Sequence, residues 1–341
     1  MKKETFLKLF NKKLLIAFLL IIVQNTFAQN SWYVNDASPT GDIYCTGGAT
    51  GNDLTNQVNN PNKPSATVAD AIGAAAAGDV IYIDTGNYSE HTIAFNKGVT
   101  IIGAGIDKTI FQRASGIVRF GTISVSNVKL KNIKILNYNQ TADGIALNIS
   151  ASAGDLTGIL FEGVWIDKST ASGGGGAISI FSIASQSIAV DFKNTLITCS
   201  TNGNYGSAIY IVGNKHRITI DKCHFESNGK ATAGGALSIL GTNSTDATKT
   251  LVTVSKTTFK NNFGLSNVNG GAIYVNGAQL NISESCFNGN TTGGLGTAIA
   301  GSRNSKIYVT NCNFENNTAG KAQIYTSYAI NDPATSAGGT I

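Results

Sequence analysis

Apolar and polar residues alternate in short runs that recur along the chain. Five segments align: Val128-Lys-Leu-Lys-Asn-Ile-Lys-Ile135, Ile218-Thr-Ile-Asp-Lys-Cys-His-Phe225, Val252-Thr-Val-Ser-Lys-Thr-Thr-Phe259, Leu280-Asn-Ile-Ser-Glu-Ser-Cys-Phe287 and Ile307-Tyr-Val-Thr-Asn-Cys-Asn-Phe314. Period-2 alternation marks a β-strand with one buried face, and the two-residue break before the last apolar position marks a tight bend into a second, shorter strand. Two more segments, ending at Ile166 and Ile197, fit the template. The closing position therefore runs Ile135, Ile166, Ile197, Phe225, Phe259, Phe287, Phe314, recurring about every 30 residues. Self-similarity at such a period is the mark of a solenoid, with one coil per repeat and these side chains in one interior column.

Two further positions repeat in step. An Asn stands three residues after each Phe, at Asn228, Asn262, Asn290 and Asn317. Asn tolerates the left-handed backbone of a sharp corner, and amides stacked at a strand spacing of ~4.8 Å can bond from coil to coil. A third strand begins at a small-residue step, as in Gly176-Ala-Ile, Ser207-Ala-Ile, Gly235-Ala-Leu, Gly271-Ala-Ile and Thr297-Ala-Ile. The Ile and Leu there are expected inside, with glycine easing the turn.

Composition agrees: 39 glycines and only 13% charged residues suit tight turns and polar ladders, and 42% hydrophobic content speaks against disorder. Residues 1–28 read as a secretory signal peptide: five lysines, an apolar run from Leu14 to Val23, then Thr26-Phe27-Ala28 before the cleavage point. That run falls short of the ~20 apolar residues a membrane span needs, so no transmembrane segment is expected after cleavage. The five lysines against Glu4 carry +4 of the formal +5, leaving +1 for residues 29–341. A basic nucleic-acid surface is not indicated.

The five cysteines, Cys45, Cys199, Cys223, Cys286 and Cys312, are odd in number and lack CxxC spacing; most are read as buried free thiols. Cys223 and Cys312 share an inward column three coils apart, about 14 Å, too far for a disulfide. His91, His216 and His224 make no metal-ligand spacing with them, so no metal or cofactor is expected. Lys215-His216-Arg217 reads as a solvated turn tip.

The pairing of Gly-Gly-Ala-Ile with Phe-x-x-Asn over about 175–325 resembles the repeats of the polymorphic outer-membrane protein family, which implies a surface adhesin. The N-terminal part, Trp32-Tyr-Val-Asn, Ala66–Ile83, Gly86-Asn-Tyr-Ser-Glu90 and Val99-Thr-Ile-Ile-Gly-Ala-Gly105, looks like the opening of pectin-lyase-like β-helix proteins. Ser65 is placed to cap an Ala-rich helix ending near Gly78 that plugs the open end of the core. The expected fold is all-β, a single-stranded right-handed parallel β-helix with an N-terminal capping helix. The expected divisions are 1–28 signal peptide, 29–78 strand, loop and capping helix, and 79–341 β-helix, continuing or truncated at its C-terminal end.

That fold hosts lyases, hydrolases and non-enzymatic adhesins, so function rests on the site. Polygalacturonase-like hydrolysis needs paired acids, and no Asp-Asp pair occurs. Gly163-Val-Trp-Ile-Asp167 resembles a pectate-lyase stretch, but Lys168 stands where that family has His, and no proline lies in an Arg-x-Pro-x-x-Arg motif. No catalytic residue is singled out. One outward column should read Lys131, Glu162, Lys193, Asp221, and its neighbour Lys134, Trp165, Leu196, His224 with Asp167 and Glu226 alongside. An outward Trp beside Lys and Asp suits a sugar ring, the competing and favoured reading being a Trp covered by an adjacent loop. Tyr210 and Tyr274, two coils apart on the third strand, would extend a stacking surface. The candidate substrate-binding residues are Lys134, Trp165, Asp167, Lys193 and His224. The expectation is a secreted or cell-surface β-helix serving non-catalytic adhesion or glycan binding, with a polysaccharide or a host or cell-surface glycan as partner, the alternative being a lyase or hydrolase acting on an acidic polysaccharide.

Overall fold

The computed structural model describes residues 29–327 apart from 47, 52–58, 114–115, 141–142, 144–145, 183–184, 203, 232, 242–245, 266–268 and 320–321. Residues 1–30 form a separate unit, of which only Gln29 and Asn30 are described; the signal-peptide segment lies outside the described residues. From Ser31 to Ser327 the described residues form an all-β parallel solenoid. Their strands form sheets of ten, nine and nine strands plus a fourth of five very short ones. One coil illustrates the path: Leu156–Glu162 in the first sheet, Trp165–Asp167 in the second, Thr170–Ala171 in the fourth, Ile178–Ser182 in the third, then back to the first at Ile188–Lys193. Neighbouring coils pair in parallel.

The closing column stands as the sequence implies. Ile135, Ile166, Ile197, Phe225, Phe259, Phe287 and Phe314 are successive register partners. Four phenyl rings stack with centroids 5.0, 4.9 and 4.8 Å apart and interplanar angles of 5°, 7° and 2°. Strand spacing dictates that face-to-face geometry, which isolated ring pairs do not prefer. Ile178, Ile209, Leu237, Ile273 and Ile299 form a second interior column and are fully buried.

The buried amides form a continuous ladder. Nδ2 of Asn228, Asn262 and Asn290 each donates to Oδ1 of the next Asn at 3.0, 3.0 and 2.9 Å, and the backbone N–H of each donates to the same oxygen. Their φ angles do not take the left-handed turn, which corrects the sequence reading. The residue before each does: Ser227, Asn261, Gly289 and Asn316, with φ from 53° to 67°. Asn137, Lys168 and Cys199 hold this place in earlier coils. A matching left-handed column closes the first sheet at Asn132, Gly163, Asn194, Lys222, Lys256, Glu284 and Asn311. A left-handed L-residue costs ~1–2 kcal/mol, yet glycine fills only one place in each column. The compensation is regular: up to Gly289 each such N–H donates to the next coil, as Lys222 does to Ser255 O at 3.0 Å and Ser227 to Lys260 O at 3.0 Å.

The one α-helix among the described residues, Val68–Ala74, is shorter than expected and capped differently. Thr67, not Ser65, is the N-cap, its Oγ1 accepting Asp70 N–H at 3.0 Å. Ser65 is used by the backbone instead, bonding to Tyr33 and Asn35. The Glu90 carboxylate accepts the Val68 and Ala69 N–H groups, and Lys97 Nζ donates to Gly73 O and Ala75 O, both at 2.7 Å. An acid at the first turn and a cation at the last offset the orphan groups and the helix dipole. Burial dominates at Glu90 and pushes its carboxyl up to about 7. Val68, Ala71 and Ile72 join the solenoid core.

Candidate functional site

The second sheet places Lys134, Trp165, Leu196 and His224 in one outward column, and Leu136, Asp167, Thr198 and Glu226 in the next. Lys134, Trp165 and Asp167 come together. The Lys134 ammonium sits over the indole, 3.3 Å from its centroid, and 4.0 Å from Asp167. Trp165 Nε1 donates to Thr198 Oγ1 at 2.8 Å, and Thr198 donates on to Asp167 at 2.7 Å. Asp167 is only 7% exposed and Trp165 half-buried, so this cluster satisfies itself and one indole face is taken by a cation. His224 lies two coils away in another group: its Nε2 contacts Glu226 at 2.9 Å, and Lys260 reaches the same carboxylate at 2.8 Å. Lys260, with His224 behind it, holds the Glu226 carboxyl below the usual carboxylate range. Lys193 stands apart from these residues, on the first sheet.

The charged column on that sheet has the expected register, Lys131, Glu162, Lys193, Asp221. Lys131 meets Glu162 at 2.7 Å, while Asp221 accepts from Ser255 at 2.7 Å. Such exposed pairs contribute ~0–1 kcal/mol and serve register more than chemistry.

Several readings change. His216 is fully buried between two exposed basic neighbours. Its Nδ1 accepts Ile188 N–H at 3.0 Å, which places the proton on Nε2, 3.0 Å from Val212 O. Burial lowers its pKa. All five cysteines are free, but only Cys45 and Cys223 are buried; Cys286 and Cys312 are partly exposed and Cys199 exposed, since it occupies a left-handed corner. Cys223 and Cys312 do share one column. Thr195, Cys223, Thr257, Ser285 and Cys312 each donate to the carbonyl two residues back. Cysteine is here a corner donor interchangeable with Ser and Thr.

On the third sheet, Tyr210 and Tyr274 flank Ser238 in one outward column, two coils apart. Tyr210 stacks on Tyr205 at 5.6 Å and 9°, and Tyr274 bonds Ser302 at 2.7 Å. The same face carries a group that periodicity did not reveal. Arg119, Asp143, Asn148, Ser179 and Phe181 line an open groove of about 400 Å³. Phe181 is 41% exposed, an apolar ring at an outward strand position. Arg119 Nη2 donates to Asp143 O at 3.0 Å, and Nη1 reaches Thr122 Oγ1 at 3.4 Å. Thr122, Asn148 and Ser179 are register partners on successive coils, so the polar wall is built by the sheet itself.

Among the described residues no group of three or more His, Cys, Asp and Glu side chains is arranged to hold a metal, and no helix is long and apolar enough to cross a membrane. No family model and no curated protein matches this chain significantly.

Proposed function

We propose that this chain is an exported, cell-surface or secreted β-helix that binds a polysaccharide or host glycan without transforming it. Within this reading the coils wind right-handed, the helix Val68–Ala74 plugs the N-terminal end of the core, and the repeats are of the pectin-lyase-like and polymorphic outer-membrane protein kind. The observation that carries the reading is the third-sheet groove, where the exposed Phe181 ring stands beside the Arg119 guanidinium, Asn148 and Ser179. A sugar offers an apolar face to such a ring and hydroxyls to such donors and acceptors. The second-sheet face of Lys134, Trp165, Asp167, Lys193 and His224 is the other candidate contact surface, with its indole partly covered. Glu90 and His216, whose pKa values burial raises and lowers respectively, hold backbone N–H groups in place and so serve the fold, which supports binding over catalysis.

The test is equilibrium binding of the purified protein to a panel of neutral and acidic polysaccharides, with released unsaturated and reducing ends assayed in the same samples. Binding with no release is expected. Release of ends at a rate above buffer would replace this reading with a lyase or hydrolase.

A further inference from the structure

A second groove lies on a different face, the outside of the first sheet, with a volume of about 430 Å³. Its polar lining is Thr253, Gln279, Asn281, Ser283, Tyr308 and Thr310, beside the buried Ile282. Thr253, Asn281 and Tyr308 are register partners on three successive coils, and Ser283 and Thr310 are partners in the adjacent column. The groove thus spans two strand spacings, about 10 Å. Its size falls at the lower end of the ~300–1,000 Å³ range of ligand sites.

The chemistry of that lining is uniform. Three hydroxyl side chains and two amides supply both donors and acceptors, and none of the six residues carries a charge at neutral pH. Gln279 Nε2 donates to Asn281 Oδ1 at 3.0 Å, which fixes the two amides relative to each other. Tyr308 is 54% exposed and supplies one aromatic face. Lys306, the register partner of Gln279, stands beside the groove rather than in its lining, and a polyhydroxylated ring meets lining groups that match its hydroxyls and one surface for its C–H face.

We infer that this groove is a binding site for an uncharged saccharide, formed by Tyr308 as the stacking wall and Gln279, Asn281, Thr253 and Ser283 as the polar floor. The inference rests on the glycan-binding reading above and adds a second, independent site to it. A site on each of two faces would let one molecule hold two strands of a polysaccharide, with avidity set by the rigid spacing between them.

The experiment is calorimetric titration of the full chain with cellohexaose, mannohexaose and xylohexaose as neutral probes and hexagalacturonate as the charged one, at low and high salt. At least one neutral probe should bind with an affinity unchanged by salt. Tyr308→Ala should weaken that binding about tenfold or more, as loss of an aromatic anchor does. Tyr308→Phe should retain it. Thermal unfolding of each variant checks that the fold is kept. Neutral binding that survives Tyr308→Ala overturns the assignment. So does binding of hexagalacturonate alone, which would leave the broader reading standing. Absence of binding to every probe would remove both.

Discussion

Asn228 delivers both its backbone N–H and its side-chain amide to one atom, Oδ1 of Asn262, at 3.1 and 3.0 Å. Asn262 repeats the arrangement with Asn290, and its own Nδ2 also donates to Phe225 O at 3.0 Å. One buried side chain therefore satisfies the coil before it and ties its own coil to the next.

Asn262→Ala is accordingly expected to cost more than a single hydrogen bond. It strands two N–H groups of Asn228 and the Phe225 carbonyl, at ~1–3 kcal/mol for each buried group left unpaired. Urea denaturation should show a loss of about 3 kcal/mol or more on that basis. A loss below about 1 kcal/mol would mean that water or a shifted backbone replaces the ladder.

His216 carries a pH prediction with a definite sign. Its pKa is lowered in the folded chain, so as pH falls the unfolded chain takes up the proton first. Its contribution is present above the ordinary histidine value of ~6.5 and is lost as pH drops below it. The gap in urea stability between wild type and His216→Gln should narrow from pH ~8 to pH ~5 for that reason. A gap independent of pH would show that the ring titrates alike in the folded and unfolded chains, contrary to its burial and to the bond it accepts from Ile188.

Much of the frame was legible because strands that bury one face must alternate with period 2, and identical coils must stack. The column from Ile135 to Phe314 and the pairing of Trp165 with Lys134 and Leu196 follow from that alone. The fourth sheet was not legible: strands of two residues such as Thr201–Asn202 are too short to show a period. Nor was the left-handed residue, since Lys168, Cys199 and Ser227 carry no turn signature and are held by inter-coil bonds rather than by intrinsic preference. Alternation places Trp165 outward but does not say that the Lys134 side chain lies over it. The third-sheet groove joins Arg119 to Phe181 across 62 positions, and a turn residue such as Arg119 belongs to no repeat.

Cysteine chemistry gives a third test. Thr257 and Ser285 separate Cys223 from Cys312 in their shared column, three coils at ~4.8 Å each, well beyond the ~7 Å Cα limit for a disulfide. Mass spectrometry of the unreduced protein should find no Cys223–Cys312 bridge. Cys223→Thr should change stability by less than about 1 kcal/mol, because threonine already makes the same corner bond at position 257. A bridge, or a loss above about 3 kcal/mol, would contradict the column.

The proposal that this solenoid holds a glycan on its outer faces is tested by one binding titration. Wild type, Phe181→Ala and Trp165→Ala are compared against the tightest-binding polysaccharide of the panel, with thermal unfolding run alongside. Phe181→Ala should weaken binding by about 1–3 kcal/mol with the fold unchanged, because that ring is exposed and anchors the groove. Trp165→Ala should act more weakly, its ring already holding Lys134 on one face and Thr198 at its edge. Unchanged affinity in both variants, each still folded, would contradict the account.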